Sequence, residues 1–163
     1  MLVMPESAPN HADAVPDGFD LLQVGGGYFK QLGPVYGKTL PDGSMVVALR
    51  VADRHLNFGG VAHGGMLATV ADGALGRNVA IARGRRQAQV TVSLTADFLS
   101  GARLGDWLEA HVSVTRMGQR LAYANCDLKV GERHVLRSSA VFAFVERPWP
   151  GTPQQEPPAM EEG

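Results

Sequence analysis

From Leu56 to Arg83 the chain reads LNFGGVAHGGMLATVADGALGRNVAIAR, and its two halves call for different backbones. Asn57 to Gly65 holds four glycines and no apolar period, so it reads as a loop. Met66 to Ala82 lacks proline and places Leu67, Ala71 and Leu75, and Met66, Val70 and Ala74, at helical spacing. Gly84 then stops the helix, with Arg83, Arg85 and Arg86 near the negative end of its dipole. A helix this apolar cannot stand alone, so the fold is decided by what covers it.

The flanking segments supply a sheet. Val90, Val92, Leu94, Ala96 and Phe98 alternate with Thr91, Ser93, Thr95 and Asp97, which is period two with one face expected to be buried. Trp107–Arg116 and Leu121–Val130 are strand-like and meet at Met117-Gly118-Gln119, a hairpin signal; Gly131-Glu132-Arg133 turns the chain into His134–Glu146. Upstream, Val35–Leu40 and Met45–Val51 flank Pro41-Asp42-Gly43-Ser44, a turn with a proline to preset φ. The predicted order is β-β-α-β-β-β-β, an α+β layer architecture.

The folded body is expected over 18–147. Residues 1–17, polar with three prolines, read as a loose N-terminal arm, and 148–163 as a proline-rich tail that cannot form a helix or central strand. Of 163 residues, 45% are hydrophobic and 19% charged, which fits one ordinary globular domain. A net charge of −1 gives nucleic acid or an anionic membrane no electrostatic hold. Twelve arginines against three lysines suit bidentate phosphate contacts. One cysteine, Cys126, excludes an intrachain disulfide and a cysteine zinc cluster. His11, His55, His63, His111 and His134 show no ligand spacing, so no metal is expected. Without a signal-like N-terminus or a membrane-length apolar run, the expected location is cytoplasmic.

Asp72 is the unusual residue, a carboxylate in the middle of the most apolar helix. Gly73 and Gly76 sit within one turn of it, and glycine inside a helix costs about 1 kcal/mol relative to alanine. A small-residue face would let a second chain or a ligand reach the carboxylate; the plainer reading is a solvated or salt-bridged aspartate. His63-Gly64-Gly65 sets backbone N–H groups at a helix N-terminus, where they can hold a developing oxyanion.

The run Leu56 to Asp72 resembles the N-x-x-G-x-x-H-G-G-x-x-x-x-x-x-D signature of hotdog-fold acyl-CoA thioesterases. It is most similar to the 4-hydroxybenzoyl-CoA and phenylacetyl-CoA thioesterase-like branch, which includes phenylacetate-pathway enzymes. Thr91–Leu99 and Gly105–Glu109 resemble the third strand and the entry to the fourth in that group. The likeness spans about 30–145. It implies a hotdog fold, with one long central helix wrapped by a curved antiparallel β-sheet, and hydrolysis of an acyl- or aryl-CoA thioester.

The resemblance also assigns roles. Asp72 matches the catalytic carboxylate, as general base or nucleophile, and Gly64 the N–H that polarises the carbonyl. Asn57 and His63 match groups that order water near the thioester oxygen, although His63 could equally be a structural bond holding its loop. Thr91 falls where relatives hold the water or the carboxylate. Gly65, Phe58 and Phe98, with Tyr28 a further candidate, would line the acyl site. Arg116 and Arg120 would hold the coenzyme A phosphates, with Arg83, Arg85 and Arg86 as a rival cluster. No cofactor is implied, because coenzyme A is part of the substrate. The family builds each site across a homodimer, so Asp72 and Thr91 would face Asn57, His63 and Gly64 of the second subunit, and the resemblance implies a homotetramer as the full assembly. Two other readings remain open: an enoyl-thioester hydratase, for which the helix lacks a histidine, and a non-catalytic acyl-CoA sensor, for which the arms lack a basic helix.

Overall fold

The computed structural model describes residues 14–23, 26–85 and 87–146. The tail from 148, most of the 1–17 arm, and Arg86 lie outside them. Residues 14–17 lie against the body, where Arg50 Nη2 donates to Ala14 O at 2.6 Å.

One helix, α1 (Gly64–Arg83), sits in the concave face of a single antiparallel sheet. Its strands are β1 (Asp20–Leu21), β2 (Tyr36–Thr39), β3 (Met45–Arg50), β4 (Gln89–Phe98), β5 (Trp107–Met117), β6 (Leu121–Val130) and β7 (Arg133–Phe144). The spatial order is β1-β2-β3-β5-β6-β7-β4. The helix thus carries the chain across the sheet and delivers β4 to its far edge. This is the expected α+β hotdog architecture with three additions: the two-residue strand β1 and 3₁₀ turns at Phe29–Leu32 and Asp53–His55.

Leu67, Val70, Ala71, Ala74, Leu75 and Val79 form the buried face of α1. Beneath it, Ala110, Ala122, Ala124 and Ala140 are buried on the sheet, and their small side chains let helix and sheet approach closely. Cys126 is buried among them, and burial pushes its thiol up to about 12. α1 starts two residues earlier than its apolar period, because the His63 side chain caps it. Gly84 ends it in the left-handed region at φ 67°, its N–H donating to Ile81 O at 3.0 Å.

β4 departs from its simple alternation. Its register with β7 slips between Thr91 and Ser93, so Val92 forms a bulge and is 61% exposed. Leu94 and Ala96 are half-buried, and no β4 residue is buried, because among the described residues no strand lies beside its outer edge. The expected buried face is only half covered by this chain.

Asn78 ties the helix to the sheet. It is buried; its Oδ1 accepts the Met45 N–H at 2.8 Å, and its Nδ2 donates to Met45 O at 2.9 Å and Ala74 O at 3.0 Å. Asn78→Ala would leave both Met45 backbone groups without that partner. Urea unfolding should report a loss of about 1–3 kcal/mol; an unchanged midpoint would refute the role.

Candidate active site

The loop before α1 is organised by its own side chains. Asn57 Oδ1 accepts from Gly59 N–H at 2.8 Å and Val61 N–H at 3.4 Å, folding residues 57–61 into a turn. The Asn57 N–H donates to Val61 O at 2.8 Å, and Ala62 N–H to Ala102 O at 2.7 Å, which docks the loop on the segment before β5.

His63 is the N-cap of α1. Its Nδ1 accepts the Gly65 N–H at 2.9 Å, so in the neutral ring the proton is on Nε2, a donor on an exposed side chain. The structural bond weighed for His63 is therefore present, and it leaves a donor over. It also corrects the idea that Gly65 offers a free N–H. Among the described residues the Gly64 N–H has no acceptor. It heads a 20-residue helix, where the dipole favours negative charge.

Asp72, half-buried, lies two turns along the same helix, and Thr91 Oγ1 donates to its Oδ1 at 2.8 Å. The sequence-predicted pair Asp72 and Thr91 is thus brought together within one chain. Gly64 is not brought to them. Eight residues at 1.5 Å each separate it from Asp72 by about 12 Å along a rigid axis.

The glycines beside Asp72 serve this chain rather than a visitor, which corrects the expected small-residue docking face. A Cβ on Gly73 would run into the Phe29 ring of the 3₁₀ turn. At Gly76 it would meet Phe142 and the Gln89 side chain, whose Nε2 donates to Gly76 O at 2.5 Å.

The apolar candidates divide. The Phe98 ring lies over Gly64, 3.1 Å from where a Cβ would be, so only glycine fits comfortably there. Phe58 is fully exposed, and Tyr28 is exposed with its hydroxyl 3.5 Å from Thr69 Oγ1. Arg116 and Arg120 are exposed at the β5–β6 turn. Among the described residues no group of three His, Cys, Asp or Glu could hold a metal ion, and no helix is long and apolar enough to cross a membrane.

His55 escaped the sequence reading. It is buried, its Nδ1 accepts the Ala52 N–H at 2.9 Å, and its Nε2–H donates to Leu32 O at 2.8 Å. Its carbonyl accepts the His63 N–H at 2.8 Å, so one residue joins the 3₁₀ turn below to the helix cap. Its ring is held by backbone groups of Ala52 and Leu32, which no side-chain pattern in the sequence reveals.

A family model described as the thioesterase superfamily matches residues 59–136. Putative esterase PA0474 of Pseudomonas aeruginosa is 45% identical over 128 residues, covering 78% of this chain and 96% of that protein. Human acyl-coenzyme A thioesterase 13 is 27% identical over 97 residues, covering 60% and 69%. Among solved structures, conserved protein PA5202 of P. aeruginosa superposes with a TM-score of 0.68 at 24% identity, covering 74% and 94%.

Burial holds the His55 pKa below its ordinary 6.5, helped by the nearby Arg54 charge and opposed by the Leu32 bond. Below about pH 6.5 the unfolded chain therefore binds more protons than the folded one. Stability should be full above that pH, fall as pH drops toward the folded value, and level off beneath it. Urea midpoints at pH 7.5 and 5.5 should drop less for His55→Gln than for the parent. Parallel drops would refute the assignment.

Proposed function

The chain belongs to the thioesterase superfamily and is a thioester hydrolase; from that premise we propose that it hydrolyses acyl- or aryl-CoA to the free acid and coenzyme A. The observation that carries the reading is the 2.8 Å bond from Thr91 to Asp72 Oδ1 at the open edge of the sheet. It fixes the carboxylate and leaves its second oxygen for water. The name of the human relative, an acyl-coenzyme A thioesterase, supports the substrate class.

In this mechanism Asp72 takes a proton from water as the water oxygen bonds to the thioester carbon. The carbonyl oxygen becomes an oxyanion against the Gly64 N–H and the helix dipole, with the His63 Nε2–H as a second donor. Asn57 shapes the loop that carries both. Collapse of the intermediate breaks the C–S bond, and the coenzyme A thiolate leaves and takes up a proton. A thioester is activated enough that no nucleophilic triad or cofactor is required. Phe98 and Phe58 border the acyl group, Gly65 supports the cap, and Arg116 and Arg120 hold the phosphates. The reading places the enzyme in the cytoplasm.

Two subunits are part of the proposal. A single chain holds its oxyanion donor and its carboxylate about 12 Å apart, too far for one thioester carbon. Both ends of the β4 edge carry a half-site, Asp72 with Thr91 and Gly64 with Phe98. Antiparallel pairing of two such edges about a two-fold brings unlike halves together. The exposed Val92, Phe98 and Leu99 would be covered by the same contact. Pairing of two such dimers into a tetramer is the larger assembly expected.

Asp72→Asn should lower thiol release from a panel of CoA esters by about 10²–10⁴-fold; activity near the parent level, or no release from any ester by the parent, would sink the mechanism. The shared site has its own test in Gly64→Pro. Proline suits the first helical position, the extended backbone at His63 (φ −63°, ψ 134°) suits the residue before it, and the exposed Phe98 ring need yield only slightly to the new Cβ, so the helix is kept while one N–H is removed. Gly64→Ala, which brings the same Cβ against Phe98 but keeps the N–H, is the control and should stay near the parent rate. The proline variant should lose about 10²–10³-fold in rate. Equal amounts of the two inactive variants, unfolded and refolded together, should regain activity at about a quarter of the sites. No recovery would refute a site built from two chains.

A further inference from the structure

Two basic clusters that compete in the sequence form one place in the fold. Arg83, the last residue of α1, reaches across to the β5–β6 turn. Its Nη1 donates to Gly118 O at 2.8 Å and its Nη2 to Gln119 O at 3.1 Å. Its Nε donates to Gln87 Oε1 at 3.0 Å, and the guanidinium stands 4.1 Å from the centre of the Phe144 ring. Every nitrogen of the group is engaged, and the fork grips two successive carbonyls as lysine could not. Arg85 Nη2 donates to the same Gln87 oxygen at 3.1 Å. By contrast, among the described residues Arg116 and Arg120 form no salt bridge, and they flank the two carbonyls that Arg83 holds.

The turn itself is tight: Gly118 N–H donates to Leu121 O at 2.8 Å. Its attachment to the helix end fixes where it stands relative to Asp72. Eleven residues of helix separate Asp72 from Arg83, about 16 Å, a span the extended pantetheine arm covers between a thioester and the diphosphate of coenzyme A.

We infer that Arg83 is a positioning residue for the nucleotide end of the substrate, holding the β5–β6 turn so that Arg116 and Arg120 face the phosphates while itself touching none of them. The inference rests on the acyl-CoA reading above. It predicts an effect confined to substrates that carry the nucleotide.

Steady-state kinetics on an acyl-CoA and on the same acyl group carried by pantetheine, which lacks the nucleotide, tests it. Arg83→Gln should raise KM for the CoA ester about five- to tenfold, the worth of one or two hydrogen bonds, with kcat within about twofold. KM for the pantetheine ester should not move. Arg83→Lys, which keeps the charge and loses the fork, should behave as the glutamine variant does; kinetics like the parent's would mean that charge alone matters and would overturn the inference. A KM rise on both substrates would also overturn it, as a general structural defect. If Arg83→Gln does not fold, the lysine variant decides alone. The Arg116→Gln/Arg120→Gln double variant separates the two levels. If it leaves CoA and pantetheine esters equally affected, the phosphate reading of the turn fails; if it weakens only the CoA ester while the Arg83 variants do not, only the role of Arg83 fails.

Discussion

A helix is a rigid rod, and the arrangement of this protein follows from where that rod begins and what it carries. The Gly64 N–H is at its head and the Asp72 carboxylate is two turns along, a separation that no side-chain rotation closes. The sheet wraps one side of the rod and leaves Asp72 at its open edge, held by Thr91. The fold therefore sets the two halves of the proposed hydrolytic site along one edge without bringing them together. The symmetric partner proposed above would resolve that mismatch with no change in either chain.

Precision at the head of the helix comes from layers of hydrogen bonds rather than from bulk. Asn57 folds the loop, His63 caps the first turn, and His55 anchors both to the 3₁₀ turn that carries Leu32. Each histidine accepts at Nδ1 and so has its tautomer fixed by a backbone N–H. The buried ring is spent on structure, whereas the exposed one retains a free Nε2–H. Glycines complete the packing: Gly64 makes room for Phe98, and Gly73 for Phe29.

Much of this was legible in the sequence, and the reasons are local. The apolar period of α1, the strand over Leu121–Val130 and the hairpin at Gly118 are near-neighbour patterns, and all three reappear in the structure. The resemblance around Asn57, Gly64 and Asp72 led to the right family, and Thr91 was found beside Asp72. What escaped depends on distant partners. The strand β1 is two residues long and exists only through its pairing with β2. The bulge at Val92 leaves the alternation of the sequence intact while turning Thr91, rather than Val90, toward the helix. Gly73 invited the notion of a ligand, because nothing in sequence says that Phe29, 44 positions away, will occupy the space. His55 and Arg83 act through carbonyl groups, which every residue possesses, so their targets leave no trace in composition.

The lone thiol of Cys126 lies directly beneath the helix that carries Asp72, buried and protonated up to about pH 12. Colorimetric reagents that count coenzyme A by disulfide exchange react with thiolates, so the intact fold is silent to them. Opening of the core would add one reactive equivalent per chain. The same reagent that follows turnover thus doubles as a clock for excursions of the native state, with labelling rates that report how often the sheet lets go of its helix.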